Sequence, residues 1–340
     1  MSETRRGGSR RQRTDGWSFA RIAILGAATI GGAVALVSHP PGALLASSSV
    51  DPNLVERRTF APAPTGAFGA SGDVRLQLRM PGELFDYPLT LQGAGGRTEY
   101  QWLRAEDSLA VVPPRMLLGA TVAAPVRAGF YRLAVTQADG RRVVDSILVG
   151  VLVPFTAKLG STLNGYRIGR WQWERTRDAS APPPRGFVEV RAEDVELPVS
   201  THFRLADLLT HDGQETWPRY LALDPRILDK VELVLRYLGG RDRDISVDLH
   251  SGFRTPLYNL RVPRSASDSR HQYGDAADLA IDADGDGRVT VLDGLAVSHA
   301  VEVVERAHPE LVGGLGLYGN SGAGTYVHID VRGARKRWRG

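Results

Sequence analysis

Apolar and polar positions change their spacing several times along this chain, and each change predicts a different element. Ile22–Val37 is an uncharged run of sixteen residues behind an Arg-rich start. As a helix at ~1.5 Å per residue the run reaches roughly 24 Å, short of the ~30 Å hydrocarbon core, and Trp17–Ala20 with a snorkelling Arg21 extends it. Residues 1–38 therefore read as a basic flank plus signal peptide or signal anchor. The small-residue site at Ala46-Ser47 is only a fair cleavage match, which favours the anchor. Residues 39–73 are rich in Pro, Ala, Ser and Gly without a sustained period, as in a flexible linker.

From Asp73 the period falls to two. Val74–Leu78, Tyr100–Leu103, Leu109–Val112, Gly129–Val135 and Val143–Phe155 read as strands, with a hairpin signal at Ala138-Asp139-Gly140. Short strands at this spacing predict an all-β sandwich of immunoglobulin type over residues 74–155. Residues 156–196 carry no clear period and read as a connecting segment broken by Pro182-Pro183-Pro184. Beyond them a helix is predicted over Asp224–Tyr237. Asp224 caps it, Pro225 takes its first position, and Leu228, Val231, Leu235 and Leu238 share one face.

Charge sharpens this division. The 340 residues hold 42 Lys+Arg and 38 Asp+Glu. Residues 1–50 contribute six Arg against Glu3 and Asp15, so residues 51–340 balance at 36 basic and 36 acidic. The excess belongs to the export flank, which the positive-inside rule places in the cytosol with the remainder outside. A neutral folded part excludes a nucleic-acid binder. The chain has no Cys, which excludes disulfide scaffolds, thiol catalysis and Cys-ligated metals. A metal here must sit on His, Asp or Glu.

Such residues cluster in the last hundred positions. His271 and Asp278 lie seven residues apart across Gly274, and His328 follows on an alternating segment that puts Tyr326, His328 and Asp330 on one face. Two His and one carboxylate leave an open position, as in a catalytic zinc site.

The order Ser251-Gly252-Phe253-Arg254…Asn259, then Ser269-x-His271-x-x-Gly274-x-Ala276-x-Asp278, then His328-x-Asp330 resembles the zinc D-Ala-D-Ala carboxypeptidases and murein endopeptidases, whose metal site is shared with the hedgehog signalling domain. The resemblance covers roughly Leu197–Trp338. It implies an α+β zinc peptidase domain over residues 197–340, preceded by the β-sandwich, with His271, Asp278 and His328 as zinc ligands. It implies that Arg254 holds a substrate carboxylate or a developing oxyanion. Ser251, Asn259 and Ser269 would support the surrounding turns. Many members carry Glu three residues before the last His as general base; here that position is Thr325. Asp330 is then a candidate for the base or for the carboxylate that orients His328.

A second metal motif lies at residues 282–293. Asp282, Asp284 and Asp286 occupy positions 1, 3 and 5 of a twelve-residue calcium loop, with Gly287 at position 6, the Arg288 carbonyl at 7, Thr290 at 9 and Asp293 at 12. A structural calcium would brace the segment leaving Asp278.

Two functions follow. The first is a zinc peptidase cleaving peptidoglycan stem peptides or crosslinks in the cell envelope, exported and held at the inner membrane by its N-terminal segment. The second is an inactive, metal-stabilised module that binds cell wall or protein.

Overall fold

The computed structural model describes residues 44–47 and 74–340, apart from residues 88, 93–96, 120, 139, 180, 241–242 and 322–323. The export segment lies outside the described residues, as does the linker except for Leu44–Ser47. That piece is a strand, paired in parallel with Leu89–Gln92. No helix among the described residues is long and apolar enough to cross a membrane.

Two-residue alternation builds the first lobe. Its strands are β1 (Arg75–Arg79), β2 (Leu84–Asp86), β3 (Glu99–Arg104), β4 (Thr121–Ala123), β5 (Gly129–Gln137) and β6 (Gly140–Val151). The main sheet has the order β1-β6-β5-β3, finished by Arg115–Met116, while β2 and β4 form a separate antiparallel pair. The β5–β6 hairpin turns between the paired Gln137 and Gly140. β1 runs parallel to β6, a pairing that alternation alone does not reveal. Leu109–Val112 does not form the expected strand; only the bridge Leu103–Ala110 survives there.

Both faces of this sheet are buried. Ile147, Val149 and Val151 of β6 join Trp102, Phe85 and Tyr87 in one core. Leu148 and Leu152 face the other way, with Leu76, Leu78 and Phe130, and belong to the core of the C-terminal half. A fully buried Leu contributes roughly 1.5–3 kcal/mol, so this shared core makes the two lobes one unit. Gly150 permits the contact, since a Cβ there would stand 2.7 Å from Leu78 Cδ2.

Residues 156–196, expected as a connector, are part of the second lobe. Leu163, Tyr166, Ile168, Trp171 and Phe187 are essentially inaccessible and lie in its core. β7 (Gly186–Val190) pairs with β8 (Arg219–Leu221). Helix α1 (Arg226–Gly239) starts one residue later than predicted, with Pro225 at its cap position and the Asp224 carboxylate accepting the Arg226 N–H at 3.1 Å, and ends at Gly240 with φ +65°.

The second lobe is organised by a five-stranded sheet of β9 (Ser246–Ser251), β10 (Ala276–Asp282), β11 (Gly314–Ser321), β12 (Gly324–Asp330) and β13 (Lys336–Arg339), in the order β9-β10-β12-β11-β13. Its first four members pair antiparallel, and β13 adds to β11 in parallel. Leu279, Ile281, Val327 and Ile329 alternate onto the face covered by α1 and α2 (Val291–Ala307). Asp278 and His328 carry the opposite parity and emerge on the other face.

Candidate metal centre

Register brings the ligand candidates together. Asp278 of β10 pairs with His328 of β12 on one side and with Ser251 of β9 on the other. A register shift between Leu249 and Ser251 inserts His250 as an extra residue, and a bulge of this kind re-aims side chains at a sheet edge. His271 arrives from the turn Arg270–Tyr273 that precedes β10. That turn closes at Gly274 with φ +69°, where a Cβ would lie 1.9 Å from the Ala222 carbonyl oxygen. The motif glycine is therefore required both by its φ and by the backbone it touches. The ring of Trp171, 100 residues upstream in the former connector, donates its Nε1–H to the Gln272 carbonyl at 2.9 Å and anchors the same turn.

Three acceptor atoms face one another. His271 Nε2 stands 3.2 Å from Asp278 Oδ1 and 3.2 Å from His328 Nδ1, and His328 Nδ1 stands 2.8 Å from Asp278 Oδ1. The outer contacts fix the tautomers. His271 Nδ1–H donates to the Gly252 carbonyl at 2.7 Å, and His328 Nε2–H donates to Asp330 Oδ2 at 3.2 Å. With both rings neutral, the inner nitrogens present lone pairs to a carboxylate oxygen. Such a triangle is repulsive unless one positive charge sits among its corners. Burial pushes the His271 imidazole down toward neutrality; His328 is raised despite burial by its bonds to Asp278 and Asp330. Burial alone would raise Asp278, but the two imidazoles outweigh it and hold the carboxyl well below the usual range. Ligand bonds of ~2.0–2.1 Å in a tetrahedron imply edges of about 3.3 Å; the two 3.2 Å separations match such an edge and the third is shorter, at 2.8 Å. His271, Asp278 and His328 could hold a metal ion.

The remaining predicted residues divide. Arg254 binds the metal-site carboxylate itself, through Asp278 Oδ2, and its Nε donates to Ser251 Oγ at 2.7 Å. It nevertheless lines a cleft of about 120 Å³ beside the site, with His211, His250, Phe253 and Tyr258. Asp330 does not reach the cleft. It is fully buried behind His328, accepts from the Gly314 N–H at 2.7 Å and from Arg332, and orients the ring. His328 and Arg332 hold its carboxyl far below the usual range against the upward push of burial. The general-base role for Asp330 is corrected on this geometry. Thr325 alternates onto the face of Val327, away from His328, and is buried. Asn259 organises the turn after Arg254, donating to the Ala266 carbonyl at 2.9 Å and accepting from Ser265 Oγ at 2.6 Å. Ser269 contributes its backbone carbonyl to the Gln272 N–H.

Aromatic rings wall the site. Tyr326 and Tyr318 stack at 4.6 Å and 9°, the Trp338 Nε1–H donates to Tyr318 Oη at 2.8 Å, and the Trp338 ring lies 5.2 Å from His328. Burial and the Asp278 charge push the Tyr326 phenol up.

In the second loop Asp282, Asp284 and Asp293 bring carboxylate oxygens within 4.8 Å of one another. Asp286 stands outside that trio, accepting the Arg288 N–H at 2.8 Å. Thr290 Oγ1 donates to Asp293 Oδ2 at 2.8 Å while capping α2, so its hydroxyl is engaged in the cap.

Two supports of the site carry little signal in the sequence. Trp171 was hidden in an aperiodic stretch. Lys230, fully buried in α1, donates to Glu305 at 2.6 Å and to the Asp330 carbonyl at 2.8 Å; a lysine on an otherwise apolar helix face was its only signal. The chain matches no protein-family model, no curated protein and no solved structure.

Proposed function

We propose that this protein is a zinc peptidase of the cell envelope, exported behind its Arg-rich flank and acting on peptidoglycan peptides. The observation that carries the reading is the triangle of inward lone pairs on His271, Asp278 and His328, set beside a cleft that Arg254 lines. Zinc held there supplies Lewis acidity, which acidifies water toward neutral pH and polarises a peptide carbonyl. The residues of this chain prepare the ground for that chemistry. Gly252 and Asp330 hold the two imidazoles in the ligating tautomer. Arg254 pairs with Asp278 and places positive charge at the cleft, where a substrate carboxylate binds. Trp338 and Tyr326 restrict water on one flank.

Calcium in the 282–293 loop is proposed as a brace, since β10 runs directly from the ligand Asp278 to Asp282. Metal analysis of the purified chain tests both sites: one zinc and one calcium are expected.

A second reading is favoured by one observation. Thr325 faces the core and Asp330 is sealed behind His328, so neither supplies a base to the cleft. An inactive, metal-stabilised module that binds cell wall or protein fits that deficit. Incubation of the full chain with murein sacculi, followed by muropeptide chromatography, separates the two. New products that disappear with His271→Ala support the peptidase; unchanged profiles with zinc-loaded protein overturn it.

A further inference from the structure

The geometry points to the Tyr326 hydroxyl as the hydrogen-bond donor that meets the substrate oxyanion, a role that rests on the peptidase reading above. Three observations converge. Tyr326 stands two residues before His328 on β12, so both side chains leave the same face of the sheet. Its ring has little freedom, stacked at 4.6 Å on Tyr318, which Trp338 pins in turn, and flanked by His250 at 6.0 Å. Its hydroxyl is free: among the described residues it makes no hydrogen bond and is not sealed from solvent.

The neighbouring donors are partly engaged: Arg254 donates from Nε to Ser251 and from Nη2 to Asp278, and Tyr318 Oη accepts the Trp338 indole N–H. The His271 and His328 ring N–H groups point away from the cluster, to Gly252 and Asp330. A rigid, unpaired phenol beside a buried cation site is a preorganised donor, which needs no rearrangement when charge develops.

The step it serves balances simply. Water oxygen adds to the peptide carbonyl carbon, and the C=O electron pair moves onto the carbonyl oxygen. The C–N bond then breaks, and the amine leaves with a proton from the attacking water. The Tyr326 O–H donates to the oxygen while it carries the extra charge, without losing its proton. Because the interaction strengthens only as charge builds, it lowers the barrier and leaves substrate affinity alone.

Tyr326→Phe tests the assignment, since Phe keeps the stack on Tyr318. On muropeptides, kcat is expected to fall about 100-fold with KM unchanged and zinc content intact. Calorimetry with a dipeptide phosphinate, which mimics the tetrahedral oxyanion, is expected to show at least about tenfold weaker binding to the variant. An active wild type with an equally active Tyr326→Phe, or equal phosphinate affinity, overturns this role alone. A wild type that leaves murein intact, as His271→Ala does, overturns the peptidase reading and this role with it.

Discussion

His328 Nε2 lies 3.2 Å from Asp330 Oδ2, and that contact decides which nitrogen of the ring faces Asp278. The two residues stand two positions apart on β12. Asp330→Asn should weaken zinc binding about 10–100-fold, as loss of an orienting carboxylate does. Competition with a chromophoric chelator measures it, and unchanged affinity would show that the ring is held by packing alone.

The scaffold behind Asp330 is ionic. Lys230 has no accessible surface and bridges Glu305 to the Asp330 carbonyl, while Arg337 covers the other Glu305 oxygen. Lys230→Met removes one partner of a buried pair, a change that costs about 3–5 kcal/mol when the other charge is stranded. Arg337 remains, so the lower end is expected in urea unfolding. Adding Glu305→Gln should recover part of the loss, and strict additivity of the two would mean that they do not interact.

His202 links the segment before β8 to α1. Its Nδ1 lies 2.6 Å from Glu232 and its Nε2 3.1 Å from Asp244. The Glu232 bond, against the opposing effect of burial and with help from Asp244, raises the imidazole to about 9. The folded state therefore favours the protonated ring. Its stabilisation is complete below the unfolded value of about 6.5 and is lost as pH rises through about 9. His202→Gln should cost about 1 kcal/mol at pH 6, after allowance for solvent screening, and much less at pH 10. A pH-independent cost in chemical denaturation would refute the charged pairing.

At Gly274 the backbone is positive in φ and pressed against Ala222. Gly274→Ala forces that contact apart and should destabilise by roughly 2 kcal/mol or more. Because the turn carries His271, zinc stoichiometry should fall with it. Full zinc loading in the variant would show that the turn relaxes without moving the ligand.

Much of this was legible in order and spacing. Alternation placed Tyr326, His328 and Asp330 on one face, and His271 and Asp278 stood at a ligand-like interval. The capped start of α1 and the β5–β6 hairpin followed from local chemistry, because caps and turns use residues adjacent in the chain. Leu109–Val112 failed as a strand because alternation states a preference, whereas a strand also needs a neighbouring edge to bond along its length.

Other features had no local signature. Parity put Asp330 beside His328 but could not say on which side of the imidazole it falls; the Gly314 N–H and Arg332 hold its carboxylate behind the ring, and Lys230, a hundred residues upstream, holds its main-chain carbonyl. The same holds for Arg254, whose partner Asp278 comes from a different strand. Alternation also reports that a sheet has two faces, not what covers each, so the shared core beneath β6 and the burial of residues 156–196 became visible only when the chain closed. The amino-acid order by itself determined the donor types, their succession and the faces they occupy, since those depend on one to four residues at a time. The tertiary structure alone decided which atoms of those donors meet, because hydrogen bonds and packing join residues a hundred positions apart.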